Sequence, residues 1–151
     1  RIRNADDRRE NAEVVRMTTE AAEQGHTQAQ YNLGCMYRDG QGVPQSDALA
    51  VEWYRKAADQ GFAPAQYNLA IMYEDGKGGL PQSDVIATQL YHKAADQGFE
   101  DAQYAIGICY LDQEKFSDAL RMFNEAKNNE FKKLEEKIKE IFKIKKKNTI
   151  K

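Results

Sequence analysis

Cysteine, histidine and long apolar runs are all scarce in this chain of 151 residues, and each scarcity removes a class of function. Two cysteines, Cys35 and Cys109, are too few for a disulfide framework. The two histidines, His26 and His92, have no cysteine, serine or paired carboxylate at ligand or triad spacing. Neither a metal centre nor a nucleophilic triad is therefore written into the chain, and no cofactor is expected. Uninterrupted apolar runs reach only a few residues, too short to span a bilayer. Glycines cluster at 40–42 and 76–79, but without the Gly-Lys-Ser/Thr ending of a phosphate loop. A signal-peptide pattern is also missing, and the chain opens RIRNADDRRE without a methionine. We therefore expect a piece of a longer protein.

Charge is nearly balanced overall, at -2, but it is unevenly placed. From Lys127 onward ten lysines face four glutamates, whereas residues 1–126 carry twelve basic and twenty acidic side chains. An acidic body with a basic tail bears on the choice of partner. Hydrophobic residues make up 41% and charged residues 30%, enough apolar content for one domain with a continuous core.

The chain repeats itself. AAEQGHTQAQYNLGCMYRDGQGVPQSDALAVEWYRK runs from Ala21 to Lys56, and AADQGFAPAQYNLAIMYEDGKGGLPQSDVIATQLYHK from Ala57 to Lys93. AADQGFEDAQYAIGICYLDQEKFSDALRMFNEA begins at Ala94. Each unit reads as two helices. The first spans roughly 28–39, with Ala29, Leu33, Cys35, Met36 and Tyr37 near helical spacing, and stops at Asp39-Gly40, Gly42 and Pro44. The second starts near Ser46-Asp47, a reasonable N-cap, and buries Ala50, Trp53, Tyr54 and Ala57. Small residues at Ala29, Gly34 and Ala57 allow close helix approach.

The pattern A-x-x-x-L-G-x-x-Y-x-x-G-x-G, then A-x-x-W-Y-x-x-A-A, resembles the Sel-1-like repeat, a cousin of the tetratricopeptide repeat. It is carried by Ala29, Leu33, Gly34, Tyr37, Gly40, Gly42, Ala50, Trp53, Tyr54, Ala57 and Ala58. The second unit departs at Ala70 and Leu90, and the third has lost four loop residues and follows the shorter tetratricopeptide spacing. The resemblance implies an all-α, right-handed α-solenoid of stacked helix–turn–helix repeats, a superhelix with a C-terminal capping helix. Its parts would be a second helix of a truncated repeat at 1–20, repeats at 21–56 and 57–93, a shorter repeat at 94–126, and a basic amphipathic helix and tail at 127–151. In such a stack Cys35 and Cys109 would lie about 20 Å apart, beyond disulfide reach. Two unpaired thiols fit a reducing, cytoplasmic setting.

At the N-terminal end, Asn11 to Glu20 aligns with a second helix, with Val14 and Met17 where Ala50 and Trp53 sit. At the other end, Phe131, Leu134, Ile138, Ile141 and Phe142 form one apolar stripe, with lysines in the last turn. A cap over the last repeat is one use of that helix, and a membrane- or partner-binding face is another.

In tetratricopeptide-like superhelices the first helices line a concave groove. Carried over by resemblance, the groove residues are Tyr31, Asn32, Cys35, Arg38 and Asp39 in one unit, and Tyr67, Asn68, Ile71, Glu74 and Asp75 in the next. The third unit supplies Tyr104, Ala105, Ile108, Leu111 and Asp112. A ladder of tyrosines with two asparagines suits a peptide, because tyrosine offers area at low entropy cost and an amide bonds backbone donors and acceptors together. The same residues belong to the ordinary repeat pattern, so packing and capping are the alternative use. Lysines that clamp a terminal carboxylate in chaperone-type relatives are absent from these helices. The expected activity is a non-enzymatic adaptor for a protein or peptide, with a basic extended segment the best-matched ligand for Asp39, Asp75 and Asp112. A small-molecule substrate is not expected, nucleic acid and membrane are disfavoured partners, and the chain should be a monomer or self-associate weakly through its open N-terminal end.

Overall fold

A computed structural model of the protein describes residues 5–126 and 129–149. Every regular element among the described residues is a helix: α1 (Ala5–Glu23), α2 (Thr27–Asp39), α3 (Asp47–Asp59), α4 (Ala63–Asp75), α5 (Asp84–Ala95), α6 (Glu100–Asp112), α7 (Phe116–Ala126) and α8 (Asn129–Thr149). The chain is thus an all-α solenoid of helix–turn–helix repeats. Two compact units divide it at α5, Arg1–Leu90 and Tyr91–Lys151, and each is described by itself.

The second helices begin where the sequence says they should. Ser46 is extended, and its hydroxyl accepts from Leu49 N at 3.2 Å. Ser83 repeats the device, accepting from Ile86 N at 3.3 Å. Each capping serine also donates its own N–H back to the preceding first helix, Ser46 to Tyr37 O and Ser83 to Tyr73 O, both at 2.9 Å. One residue therefore starts a helix and fixes where it sits against its partner.

In the first unit, Leu33, Ala50, Tyr54, Ala57 and Ala65 have no solvent exposure. Gly34 makes that density attainable: a Cβ there would lie 2.7 Å from two ring carbons of Tyr54. The second unit repeats the arrangement with Gly107 and Phe123, where the distance would be 2.6 Å. Bare backbone under an aromatic ring is how a first helix receives its second helix. Successive repeats join through the loops, where a Cβ on Gly42 would meet Val15 at 2.7 Å and one on Gly78 would meet Val51 at 2.6 Å.

A buried glutamine recurs at each junction. Gln30, Gln66 and Gln103 are all buried, and each donates its amide to a carbonyl eight residues earlier, Ala22, Ala58 and Ala95, at 3.2, 3.4 and 3.4 Å. Those carbonyls belong to the last turn of the preceding helix, where the glutamine amide adds a second donor to the backbone N–H of Gly25, Gly61 or Gly98. Each bond contributes roughly 1 kcal/mol net, and losing one partner while burying the other would cost more.

One expectation needs correction. Trp53 is only half-buried, and the Lys56 ammonium lies 4.3 Å from its ring centroid. The side chain in the core is its neighbour Tyr54, because a helix turns 100° per residue and only one of two consecutive aromatics can face Gly34. Val14 and Met17, matched in sequence to Ala50 and Trp53, are 55% and 59% exposed.

In the second unit α8 covers the last repeat. Ile138 is 1% exposed and joins Ala119, Phe123 and Ala126 in one cluster. Ile141 and Phe142 remain partly open, while the stripe residues Phe131 and Leu134 lie outside the described side chains. Tyr54→Ala should cost about 3–5 kcal/mol, whereas Trp53→Ala should cost roughly 1 kcal/mol. Urea unfolding of both variants checks the register, and equal losses would contradict it.

Candidate functional site

Residues three and four apart share a helix face, so Tyr31, Cys35 and Arg38 form one row on α2, and Tyr67, Ile71 and Glu74 form the matching row on α4. In the second unit Tyr104, Ile108 and Leu111 take the same places on α6. The tyrosines and isoleucines of these rows are half-buried, while Arg38 and Glu74 are exposed at the C-terminal ends of their helices. Each row thus runs from an aromatic to a charged or apolar end, and Cys35 and Ile108, in the middle of theirs, pack against the core.

The Tyr31 ring is held from two sides. Phe62, in the turn before α4, meets it edge-on at 5.3 Å and 68°, and Tyr54 lies 5.9 Å away at 39°. Asn68 of the next repeat donates its amide to the Tyr31 hydroxyl at 3.4 Å, and the Tyr54 hydroxyl donates to Cys35 Sγ at 3.4 Å. Two phenols, a thiol and an amide therefore converge beside Arg38. Burial pushes both phenols above their ordinary value, and the bond to Cys35 adds to the shift.

The sequence-derived residues divide by role. Asn68 is buried and spends its amide on Tyr31, so it joins repeats. Asn32 is exposed and accepts from Gln28 at 3.0 Å. Asp39, Asp75 and Asp112 each end a first helix and are exposed. Arg38 forks onto Asp39 at 2.9 and 3.1 Å, which holds that carboxyl below its usual range and raises the guanidinium. Asp75 has the Lys77 ammonium 3.8 Å away. In the second unit Tyr104 packs on Phe123 at 5.5 Å, and Ile108 and Leu111 lie against the same cluster.

Sequence reasoning missed the glutamines, although their signal was present: Gln precedes Tyr in all three units, at Gln30, Gln66 and Gln103. It also missed Gln60, whose amide donates to Gln30 Oε1 at 2.7 Å while its oxygen accepts from Thr27 at 2.7 Å. Neither Cys35 nor Cys109 is in a disulfide. Among the described residues no three His, Cys, Asp or Glu side chains are grouped to hold a metal, and no helix is long and apolar enough to cross a membrane.

Comparison with known proteins agrees with this architecture. The Sel1 repeat pattern matches residues 27–62, 63–99 and 100–126. Among solved structures, a protective antigen of uropathogenic Escherichia coli with an SLR fold is 37% identical over 72% of this chain, with a TM-score of 0.69. A Sel1 repeat protein from Oxalobacter formigenes is 36% identical over 68% of the chain, with a TM-score of 0.65. The match spans 24% of the first protein and 42% of the second. No curated protein matches the chain.

The phenols of buried Tyr54 and half-buried Tyr31 make stability fall at alkaline pH. Unfolded tyrosines ionise near pH ~10, whereas the folded protein keeps Tyr31 and Tyr54 protonated higher. Their contribution is complete below the unfolded value and is lost as pH rises through the folded values. Urea midpoints measured across that range should drop with pH, and Tyr54→Phe should flatten the drop.

Proposed function

Because this chain belongs to the Sel1 repeat family, whose repeats are in general protein-interaction modules, we propose that its first-helix face holds a partner protein through an extended segment. The observation that carries this reading is the recurrence of one surface: tyrosine, then a small or branched residue, then a helix end bearing aspartate. A ligand with a backbone repeat along its length can meet the equivalent groups of α2 and α4 within the first unit. Half-buried tyrosines give it rigid apolar area, and the exposed amide of Asn32 can pair with its backbone.

The charge at the helix ends selects the ligand. Aspartate at a helix C-terminus is unfavourable against the dipole, and it persists at Asp112, where the loop glycine is gone. Glu74 adds to the acidic side and Arg38 offsets part of it. A lysine- or arginine-rich extended segment suits these ends, and its affinity falls as salt rises.

The test uses a dye-labelled lysine/arginine-rich peptide and fluorescence anisotropy at low and high salt. The triple variant Asp39→Asn/Asp75→Asn/Asp112→Asn should bind about tenfold more weakly at low salt and lose most of the salt dependence. Tyr67→Ala should weaken binding at both salts. Equal affinities for wild type and both variants would remove this face as the binding site.

A further inference from the structure

The basic helix α8 carries a second surface, of opposite charge to the first-helix face. Phe116 of α7 and Phe142 of α8 meet edge-on at 5.4 Å and 78°, and together with Lys145, Lys146 and Thr149 they line a groove of about 510 Å³. The volume lies in the range of ligand sites, roughly 300–1,000 Å³. The rim is basic, and so is its flank. Lys139, Lys143 and Lys146 follow one another at helical spacing, and between 129 and 149 eight lysines stand against four glutamates.

The rim already holds a carboxylate. The Lys145 ammonium lies 2.9 Å from Glu114 Oε2 and 5.0 Å from the centre of the Phe116 ring. Glu114 reaches it from the α6–α7 turn, where its φ of 58° is a left-handed conformation that a β-carbon disfavours. An internal acid at the mouth of an aromatic groove defines what the groove recognises: a negative group beside an apolar one.

We propose that this α7–α8 groove is a docking site for an acidic peptide segment of a partner protein, one large apolar side chain seated against the paired rings of Phe116 and Phe142 and flanking carboxylates on Lys145 and Lys146. Charge complementarity selects the acidic class, and the packing of α8 selects a peptide over a membrane surface. A helix lying in a bilayer must offer its whole apolar stripe. Here Ile138 is 1% exposed and packed with Ala119, Phe123 and Ala126, so that part of the stripe is spent on the last repeat, and among the described side chains of α8 the exposed apolar ones, Ile141, Phe142 and Ile144, gather in one short stretch beside the Phe116 groove. The site sits on elements that the first-helix proposal does not use.

The experiment takes the full chain and a labelled glutamate-rich peptide containing one phenylalanine, read by fluorescence anisotropy, with helicity checked for each variant. Lys145→Glu/Lys146→Glu should weaken binding at least tenfold, and so should replacing the peptide's phenylalanine by serine. Glu114→Gln, which frees the rim lysine, should tighten binding several-fold. Tyr67→Ala, which removes part of the first-helix face, should leave it unchanged. The proposal is overturned if a lysine-rich version of the peptide binds as tightly, or if Lys145→Glu/Lys146→Glu has no effect. It is equally overturned if phosphatidylserine vesicles or a single-stranded oligonucleotide, and not the acidic peptide, lose binding in that variant.

Discussion

Helix pairs in this chain close around a point where an aromatic ring lies on bare backbone. Gly34 under Tyr54 and Gly107 under Phe123 leave no room for a β-carbon, and the full burial of Leu33, Ala50 and Ala57 follows from that approach. Small residues bring the axes together, and a large ring then fills the space that alanines leave. The second repeat meets the same demand with Ala70, itself fully buried. The rest of the architecture assumes that closeness: the capping serines can reach back to the first helix only because it is near.

Joining one repeat to the next is a separate problem, since each junction buries a helix end. Gln30, Gln66 and Gln103 solve it with the same amide-to-carbonyl bond, and Gln60 extends the network around Gln30. At the last of the three, Gln103 Oε1 is buried with no hydrogen-bond partner among the described residues. The loop contacts show a related dependence on neighbours. Val15 and Val51 face glycine loops, and the position that follows them in the series is Thr88, ahead of the unit that has lost its glycine loop. Valine and loop change together, as expected where one packs on the other.

Charge is partitioned between the acidic ends of the first helices and the basic flank of α8, which gives one chain surfaces of opposite preference. Neither is uncompensated. Arg38 pairs with Asp39, and Glu114 pairs with Lys145, so a ligand at either place displaces or joins an existing ion pair. Exposed pairs of this kind are worth little to stability, which makes them available for exchange with a partner's charges.

The sequence by itself determined the helical class, the 36–37-residue period, the capping serine Ser46 and the close helix approach at Gly34. All of these rest on local rules: a backbone position that needs a hydroxyl, a missing β-carbon, or apolar spacing at 3.6 residues per turn. The candidate face was legible only in outline, because spacing places a residue on a helix face but does not say what meets it there. Only the tertiary structure decided that Tyr54 and not Trp53 enters the core, and that Asn68 is spent on Tyr31. It also decided that Gln30, Gln66 and Gln103 are buried, and that Phe116 and Phe142, twenty-six positions apart, form one groove. Each of those outcomes depends on which neighbouring helix covers a given side, a long-range choice made by close packing of the assembled repeats rather than by any stretch of chain alone.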